Sequence, residues 1–199
     1  MRLFAWGPVA APVVFTVPAT IATALTPGHD PLRDAVSLLA GPGTPYPWLL
    51  NGSIIAYAIL VQGLGPSLHR AAGGGRWGGA LWALVACYGL GGLGAGIWRD
   101  AYTDGGWWLI DQNAMHDNAA RIAFGAVLGL CALAPLALRH RSGWAGWARF
   151  SWAMAALSAL AAVLFEMRVW PSIHGFFELC FFATTMAWVF VTGLRLRKG

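Results

Sequence analysis

Charged residues are scarce in this chain: they make up only 11% of its 199 residues. A soluble domain carries about 25% charged residues, so the composition excludes an ordinary soluble domain and a disordered chain. Hydrophobic residues account for 58% of the chain and aromatic residues for 13%, and the mean hydropathy is +0.59. These figures predict a small protein that crosses a membrane several times.

Cysteine is also scarce, and the short motifs of soluble enzymes are missing. Cys87, Cys131 and Cys180 lie in apolar segments without paired spacing, which excludes a disulfide framework and a cysteine zinc site. The sequence contains no nucleophile elbow and no P-loop. Its Gly-x-Gly-x-x-Gly run at residues 89–94 lies in an apolar stretch with no strand before it. The absence of these motifs does not exclude an enzyme, because active sites within a membrane are assembled from several helices.

Long apolar runs dominate the sequence. A helix needs about 20 apolar residues to cross the hydrocarbon of a bilayer. We predict an all-α fold, an integral membrane bundle of six transmembrane helices that forms one domain over residues 1–199. We expect the first helix, which contains Pro8, Pro12 and Pro18, to be kinked and retained, not cleaved as a signal peptide. The predicted helices cover residues 4–25, 46–68, 77–98, 116–138, 150–169 and 175–194.

The net charge of +5 comes from basic residues near the ends of these helices. Nine of the 13 basic residues fall on the side of the two termini. This asymmetry predicts a multi-pass protein of the cell membrane with both termini in the cytoplasm, and it argues against a nucleic-acid partner. The four basic residues on the opposite, outer side are Arg33, Arg99, Arg121 and Arg168.

The acidic residues are segregated more completely than the basic ones. All eight fall in the outer half of the predicted bundle. Acidic residues contribute little to membrane topology, so the rule for basic residues does not explain this distribution. We infer that a site on the outer side uses carboxylates. The acids are Asp30, Asp34, Asp100, Asp104, Asp111, Asp117, Glu166 and Glu178.

Several short motifs occur along the chain in a recognisable order. The first outer connection contains a Pro-Leu-Arg-Asp-x-x-Ser-x-Leu run that begins at Pro31, and Asn51 follows near the start of the second helix. The glycine-rich third helix ends in Trp98 and Asp100, and His116 opens the fourth. In these motifs the chain resembles, over nearly its whole length, a bacterial membrane family catalogued as domain of unknown function 998. The resemblance implies six helices and leaves the activity open.

The last helix departs from that family's pattern at one position. Members of the family usually begin this helix with Gly-x-x-Glu-Arg, whereas this chain has Gly175, Glu178 and then Leu179. The usual basic neighbour of Glu178 is therefore missing.

Two sets of ionisable residues at helical spacing are the main candidates for chemistry. His116 and Asp117 open the fourth helix, and Arg121 lies one turn beyond Asp117, where the two can pair. An arginine inside a membrane helix needs a partner or a water-filled cavity. The alternative interpretation is a helix cap accompanied by an ion pair.

His174 and Glu178 form the second set, at the start of the sixth helix. An imidazole and a carboxylate one turn apart can act as an acid–base couple or bind a divalent metal, although no His-Glu-x-x-His motif accompanies them. The alternative is a pair that holds the helix at the interface. We expect no required cofactor and leave a divalent metal at His174 and Glu178 open.

The outer connections supply further candidates. Between Pro27 and Pro42, the segment around Asp34 is predicted to form a short amphipathic helix that could cover a cavity or simply cap the bundle. The third outer connection carries Asp100 and Trp108, and Trp98 and Trp170 lie near the same interface. Tryptophan is common there as an anchor. With the acids, these rings are expected to form an aromatic-walled pocket in which a desolvated carboxyl has a raised pKa.

Two functions from different classes remain. The first is a membrane enzyme that uses acid–base chemistry on a lipid or another lipophilic small molecule, such as an isoprenoid, at the outer half of the bilayer. A terpene cyclase and a lipid head-group hydrolase both fit this description. The second is a non-catalytic lipid-binding protein or an accessory subunit of a membrane complex. The catalytic candidates are Asp100, His116, Asp117 and Glu178, and the substrate-binding candidates are Asp34, Trp98, Trp108, Arg121, Trp170 and His174.

One structural feature separates these two functions. An enzyme requires the candidate acids and histidines to converge on one cavity. An accessory protein is expected to pair each acid separately with an arginine. The oligomeric state is left open.

Overall fold

The computed structural model describes residues 6–98 and 111–197, and the regular structure within them is helical throughout. Six helices are long and apolar enough to cross a membrane, as the composition predicts. In chain order the helices are α1 (Gly7–Leu25), α2 (Pro47–Leu60), α3 (Leu64–Ala71), α4 (Gly75–Ile97), α5 (Gln112–Ala137), α6 (Ala145–Glu166) and α7 (His174–Arg197). The 3₁₀ turn Val61–Gly63 joins α2 to α3, and together these helices make one span.

The helix ends differ from the predicted ones by a few residues, for identifiable reasons. The α5 helix begins four residues before His116 because the Asp111 carboxylate caps it. One Asp111 oxygen accepts hydrogen bonds from the backbone N–H groups of Asn113 and Ala114, at 2.9 and 3.2 Å. The α6 helix ends at Glu166 because Arg168 adopts a left-handed backbone conformation, with φ of 47°.

The six spans form a closed ring. Each span packs against the spans before and after it in the chain, and α1 packs against α7 to close the circle. The α4 and α5 helices pack closely: a Cβ on Gly91 would lie 2.7 Å from the backbone oxygen of Ala119. In a membrane, apolar side chains are as well solvated by lipid as by protein, so helices associate mainly through close van der Waals packing. Small residues such as glycine and alanine allow this packing because the two backbones can approach each other.

This up-and-down order places the charges at opposite ends of the bundle. The six acidic residues that the structure describes all lie at the end where α1 finishes and α7 begins, which we call the acidic end. Seven described arginines lie at or near the other end, which we call the basic end. They are Arg70, Arg76, Arg139, Arg141, Arg149, Arg195 and Arg197.

Several polar groups between the last three spans are hydrogen-bonded to one another. The Trp188 indole N–H donates to the Ser151 hydroxyl at 2.6 Å, and that hydroxyl donates to the backbone oxygen of Cys131 at 2.8 Å. The Trp147 indole donates to the Thr192 hydroxyl at 3.1 Å. These bonds link α5, α6 and α7, which together form one side of the ring.

The first outer connection is more deeply inserted than predicted. In place of an amphipathic surface helix, it forms a turn followed by the 3₁₀ helix Val36–Ala40. Val36 and Leu39 are buried in the core, whereas Leu32 is half exposed. The prediction of one continuous helix is wrong because Ala35 is extended and separates the two pieces, with ψ of 142°. The first outer connection therefore packs into the acidic end of the ring.

Candidate functional site

A cavity of about 610 Å³ opens at the acidic end, between the first outer connection, α5, α6 and α7. Its volume is within the range of small-molecule sites. The sequence-predicted residues that line it are Asp34, His116, Asp117, Arg121, His174 and Glu178. Residues from three separate segments thus converge on one space.

His116 is buried, and its ring is oriented by the end of α4. Its Nδ1 atom lies 2.9 Å from the backbone oxygen of Ala95 and 3.0 Å from that of Trp98. A carbonyl oxygen can only accept, so Nδ1 carries the hydrogen. In the neutral ring, Nε2 is then the nitrogen with the lone pair, which is the arrangement a general base requires.

Glu178 is also buried, with 3% of its surface exposed. Its carboxylate accepts a hydrogen bond from the backbone N–H of Val36, which lies far away in sequence. A buried carboxyl that is held by a backbone donor has a fixed orientation toward its surroundings. Glu178 therefore joins the last span to the first outer connection at the wall of the cavity.

The absence of a side chain at Gly175 makes this junction possible. The backbone N–H of Gly175 donates to the oxygen of Arg33 at 3.1 Å, and that of Phe176 donates to the oxygen of Leu32 at 2.9 Å. A Cβ on Gly175 would overlap the backbone oxygen of Asp34 and would lie 2.7 Å from that of Pro31. The first turn of α7 and the connection thus lie backbone against backbone.

The predicted partner of Arg121 is wrong. The Arg121 guanidinium donates to Glu166 at the end of α6, with distances of 3.3 and 3.4 Å, and not to Asp117 one turn away. An interhelical partner was reachable because the side chain extends across the mouth of the cavity, where both residues are largely solvent-accessible. Asp117 lies on the same cavity wall and adds only electrostatic attraction to Arg121.

His174 contacts Phe165, an aromatic residue of α6 that also lines the cavity. Its imidazole stacks on Phe165, with ring centres 4.3 Å apart and planes inclined by 13°. Within the residues that the structure describes, its buried Nδ1 atom has no hydrogen-bond partner. An unsatisfied buried nitrogen is costly to a fold.

Asp34 lines the cavity while its carboxylate is engaged locally. Arg33 donates to both carboxylate oxygens at 2.9 Å, and the backbone N–H of Asp30 donates to one of them at 2.9 Å. The Arg33 guanidinium holds the pKa of the Asp34 carboxyl well below its usual value, at about 2. Asp34 is therefore ionised at physiological pH, and its hydrogen bonds stabilise the turn that precedes Val36.

A second, apolar chamber of about 80 Å³ lies deeper in the ring. Both spaces are lined by Ser37, His116, Ala120, Phe124 and Glu178. The two buried ionisable groups thus stand at the boundary between a polar outer cavity and an apolar inner chamber. The other aromatic rings of the chamber come from Phe15, Tyr57, Tyr88, Phe181 and Phe182.

Sequence reasoning missed most of this inner chamber. Tyr57 and Tyr88 face each other there, with hydroxyl oxygens 2.7 Å apart and both rings buried. A periodic signal was present in α5, where His116, Ala120 and Phe124 follow one another at four-residue spacing on one helix face. The corresponding signal in α7 is Glu178 followed by Phe181 and Phe182.

The two predicted pocket tryptophans that the structure describes, Trp98 and Trp170, do not line either space. Trp98 contributes its backbone oxygen to His116, and Trp170 packs on Phe177 with ring centres 5.8 Å apart. Asp100 and Trp108 lie outside the described residues. Phe124 and Phe165 are the aromatic residues that line the polar cavity. Within residues 6–98 and 111–197, no group of three or more His, Cys, Asp or Glu residues could hold a metal ion.

The ring of spans and its buried cavity define the class: a polytopic, all-helical membrane protein with an internal polar site. The model of the family described as Protein of unknown function (DUF998) matches residues 9–195, and the chain belongs to that family. The family description assigns no activity. No curated protein and no solved structure matches the chain significantly.

Proposed function

We propose that the protein is a membrane enzyme that acts by acid–base chemistry on a lipophilic substrate which enters from the half of the bilayer at the acidic end. One observation carries the proposal: His116, Asp117, His174 and Glu178 line a single cavity, and two of them also border an apolar chamber. Separate pairing of each acid with an arginine, as expected of an accessory subunit, holds for Asp34 and Glu166. The Glu178 carboxylate also accepts the backbone N–H of Val36, which connects the cavity wall to the first outer connection.

The shape of the two spaces favours an amphiphilic substrate. A polar group would occupy the outer cavity, which is lined by charged side chains, while an apolar end would enter the inner chamber. The chamber volume of about 80 Å³ accommodates a short apolar end and not a whole lipid chain. The reacting bond would then lie beside His116 and Glu178, at the boundary.

The aromatic lining favours cyclisation of an isoprenoid among the possible reactions. The Phe124 and Phe181 rings lie 4.0 Å apart, and the Phe181 and Phe182 rings 6.0 Å apart. Aromatic faces stabilise a passing carbocation. In this scheme Glu178 in its protonated form donates a proton to a double bond, a second double bond attacks the resulting cation to close the ring, and Nε2 of His116 removes a proton from the carbon next to the new cationic centre. Transfer of that proton from His116 back to Glu178 through water in the polar cavity restores the enzyme. Proton gain and loss balance, so the product is an isomer of the substrate.

The first experiment is native mass spectrometry of the gently solubilised full chain, with identification of bound lipophilic molecules by extraction. We expect a stoichiometric amphiphile on the wild type and on Glu178→Gln. Incubation with the extracted class of molecule should give an isomer with the wild type and no product with Glu178→Gln or His116→Ala. Two fragments that together contain the substrate and one added water would instead identify a head-group hydrolase.

Asp30→Asn is the matched control, because Asp30 is an acid of the same end that does not line the cavity. We expect it to keep wild-type turnover and folding. Full activity in folded Glu178→Gln and His116→Ala would contradict the enzyme proposal. A wild-type chain without any small ligand that co-purifies with another membrane protein would favour the accessory-subunit alternative.

A further inference from the structure

The basic end carries a groove that the proposed function does not use. It lies between the turn that joins α5 to α6 and the last turns of α7, and its volume is about 660 Å³. One part is apolar, lined by Phe150, Val191 and Leu194. The other part is formed by Trp144 and Arg195. The groove is thus amphipathic along its length.

Arg195 is held in place by aromatic and backbone contacts. Its guanidinium carbon lies 4.9 Å from the centre of the Trp144 ring, and one nitrogen donates to the backbone oxygen of Gly143. The guanidinium carbon of Arg141 lies 5.6 Å from the same ring. Two positive charges are therefore fixed around one tryptophan, an arrangement that cation–π attraction stabilises.

Within residues 6–98 and 111–197, no acidic side chain forms an ion pair with either of these two arginines. All the acids that the structure describes lie at the other end of the bundle. The Nε atom of Arg195 is buried and has no hydrogen-bond partner within the described residues. The Arg195 guanidinium lines the groove without a described carboxylate partner, and an anionic oxygen is the acceptor that suits it best.

We propose that this groove binds one anionic phospholipid of the membrane leaflet at the basic end. The phosphate would lie against Arg195, with Arg141 near the same tryptophan adding positive charge, and an acyl chain would follow the apolar part along Phe150, Val191 and Leu194. A free phosphate would use only the charged part. The apolar wall beside the arginines is the observation that favours a lipid over a soluble anion.

The test is native mass spectrometry of the delipidated full chain in mild detergent, titrated with dioleoylphosphatidylglycerol or dioleoylphosphatidylcholine. A charge-assisted contact of Arg195 to phosphate predicts at least about tenfold tighter binding of the anionic lipid. Arg195→Gln should abolish this preference. Arg76→Gln removes a charge from the same end without touching the groove, and it should keep the preference.

A second variant separates lipid binding from loss of folding. Val191→Trp fills the apolar part of the groove and leaves both arginines in place, so it should weaken binding of the anionic lipid while the protein stays folded. Equal binding of the two lipids by the wild type, or unchanged preference in Arg195→Gln, would overturn the proposal. Displacement of the lipid by millimolar inorganic phosphate would identify a soluble-anion site and would also overturn it.

Discussion

Replacing Arg168 by glycine is expected to stabilise the protein while removing a charge from the cavity. Arg168 lines the cavity, and within the described residues it is the one non-glycine residue with a positive φ, at 47°. Such a conformation is a common end for a helix when the residue is glycine. Strain of this kind persists where the surrounding structure requires the side chain, which here is a guanidinium at the mouth of the proposed site.

The size of the effect follows from two opposing terms. A left-handed backbone costs a residue with a Cβ about 1–2 kcal/mol, and glycine removes that cost. Glycine also increases the conformational entropy of the unfolded chain, which lowers the free energy of unfolding by about 0.4–1 kcal/mol. The net gain is about 0.8 kcal/mol at the midpoints of these two ranges, which corresponds to a rise of about 2–3 °C in Tm for a protein of this size.

Thermal unfolding in detergent, with Arg168→Ala as the matched control, measures this gain. Alanine removes the same charge and keeps the strain, so Arg168→Gly should melt above Arg168→Ala. Both variants should retain less of the co-purifying amphiphile than the wild type. A glycine variant that melts no higher than the alanine variant would refute the assignment of strain. Full ligand retention in both would refute the functional reason for it.

Three further outcomes are expected. Gly175→Ala should destabilise the fold by about 1–3 kcal/mol in thermal melts, because its Cβ overlaps the Asp34 backbone, whereas Gly125→Ala meets nothing within 4 Å and should be tolerated. Arg121→Gln should change stability by less than about 1 kcal/mol, because its ion pair with Glu166 is solvent-exposed; a larger loss would show a buried role. The folded pKa of Asp34, about 2, lies below the ordinary value, so its stabilisation is present above about pH 4 and is lost as the pH falls toward 2. Melts between pH 5 and 2 should therefore decline less steeply for Asp34→Asn than for the wild type.

The sequence predicts the number and order of the helices because membrane spans are dictated by local composition. The same holds for the gathering of acids at one end, since short connections between six spans leave few alternatives. The predicted pairs within one helix fared less well. Arg121 reaches Glu166 on α6, and Glu178 accepts from Val36, because long side chains and close helix contacts allow partners that spacing along one helix does not reveal.

The inner chamber illustrates the same limit. Tyr57 and Tyr88 lie on different spans, and their facing hydroxyls depend on how α2 and α4 pack. The side chains of an apolar span are similarly hydrophobic on every face of the helix, so the sequence does not indicate which residues face the interior. Ala120 and Phe124 were predictable only with His116 as a fixed point on the helix face.

The closed ring has a consequence for biosynthesis. Each span after the first packs against the span made just before it, so these contacts can form in the order in which the spans leave the ribosome. The cavity, however, needs α7 for one wall, and the link between Val36 and Glu178 joins a segment that precedes α2 to one in α7. The site therefore forms only after α7 has been inserted, and a chain arrested before α7 would hold the preceding segments in the bilayer with no pocket for a substrate.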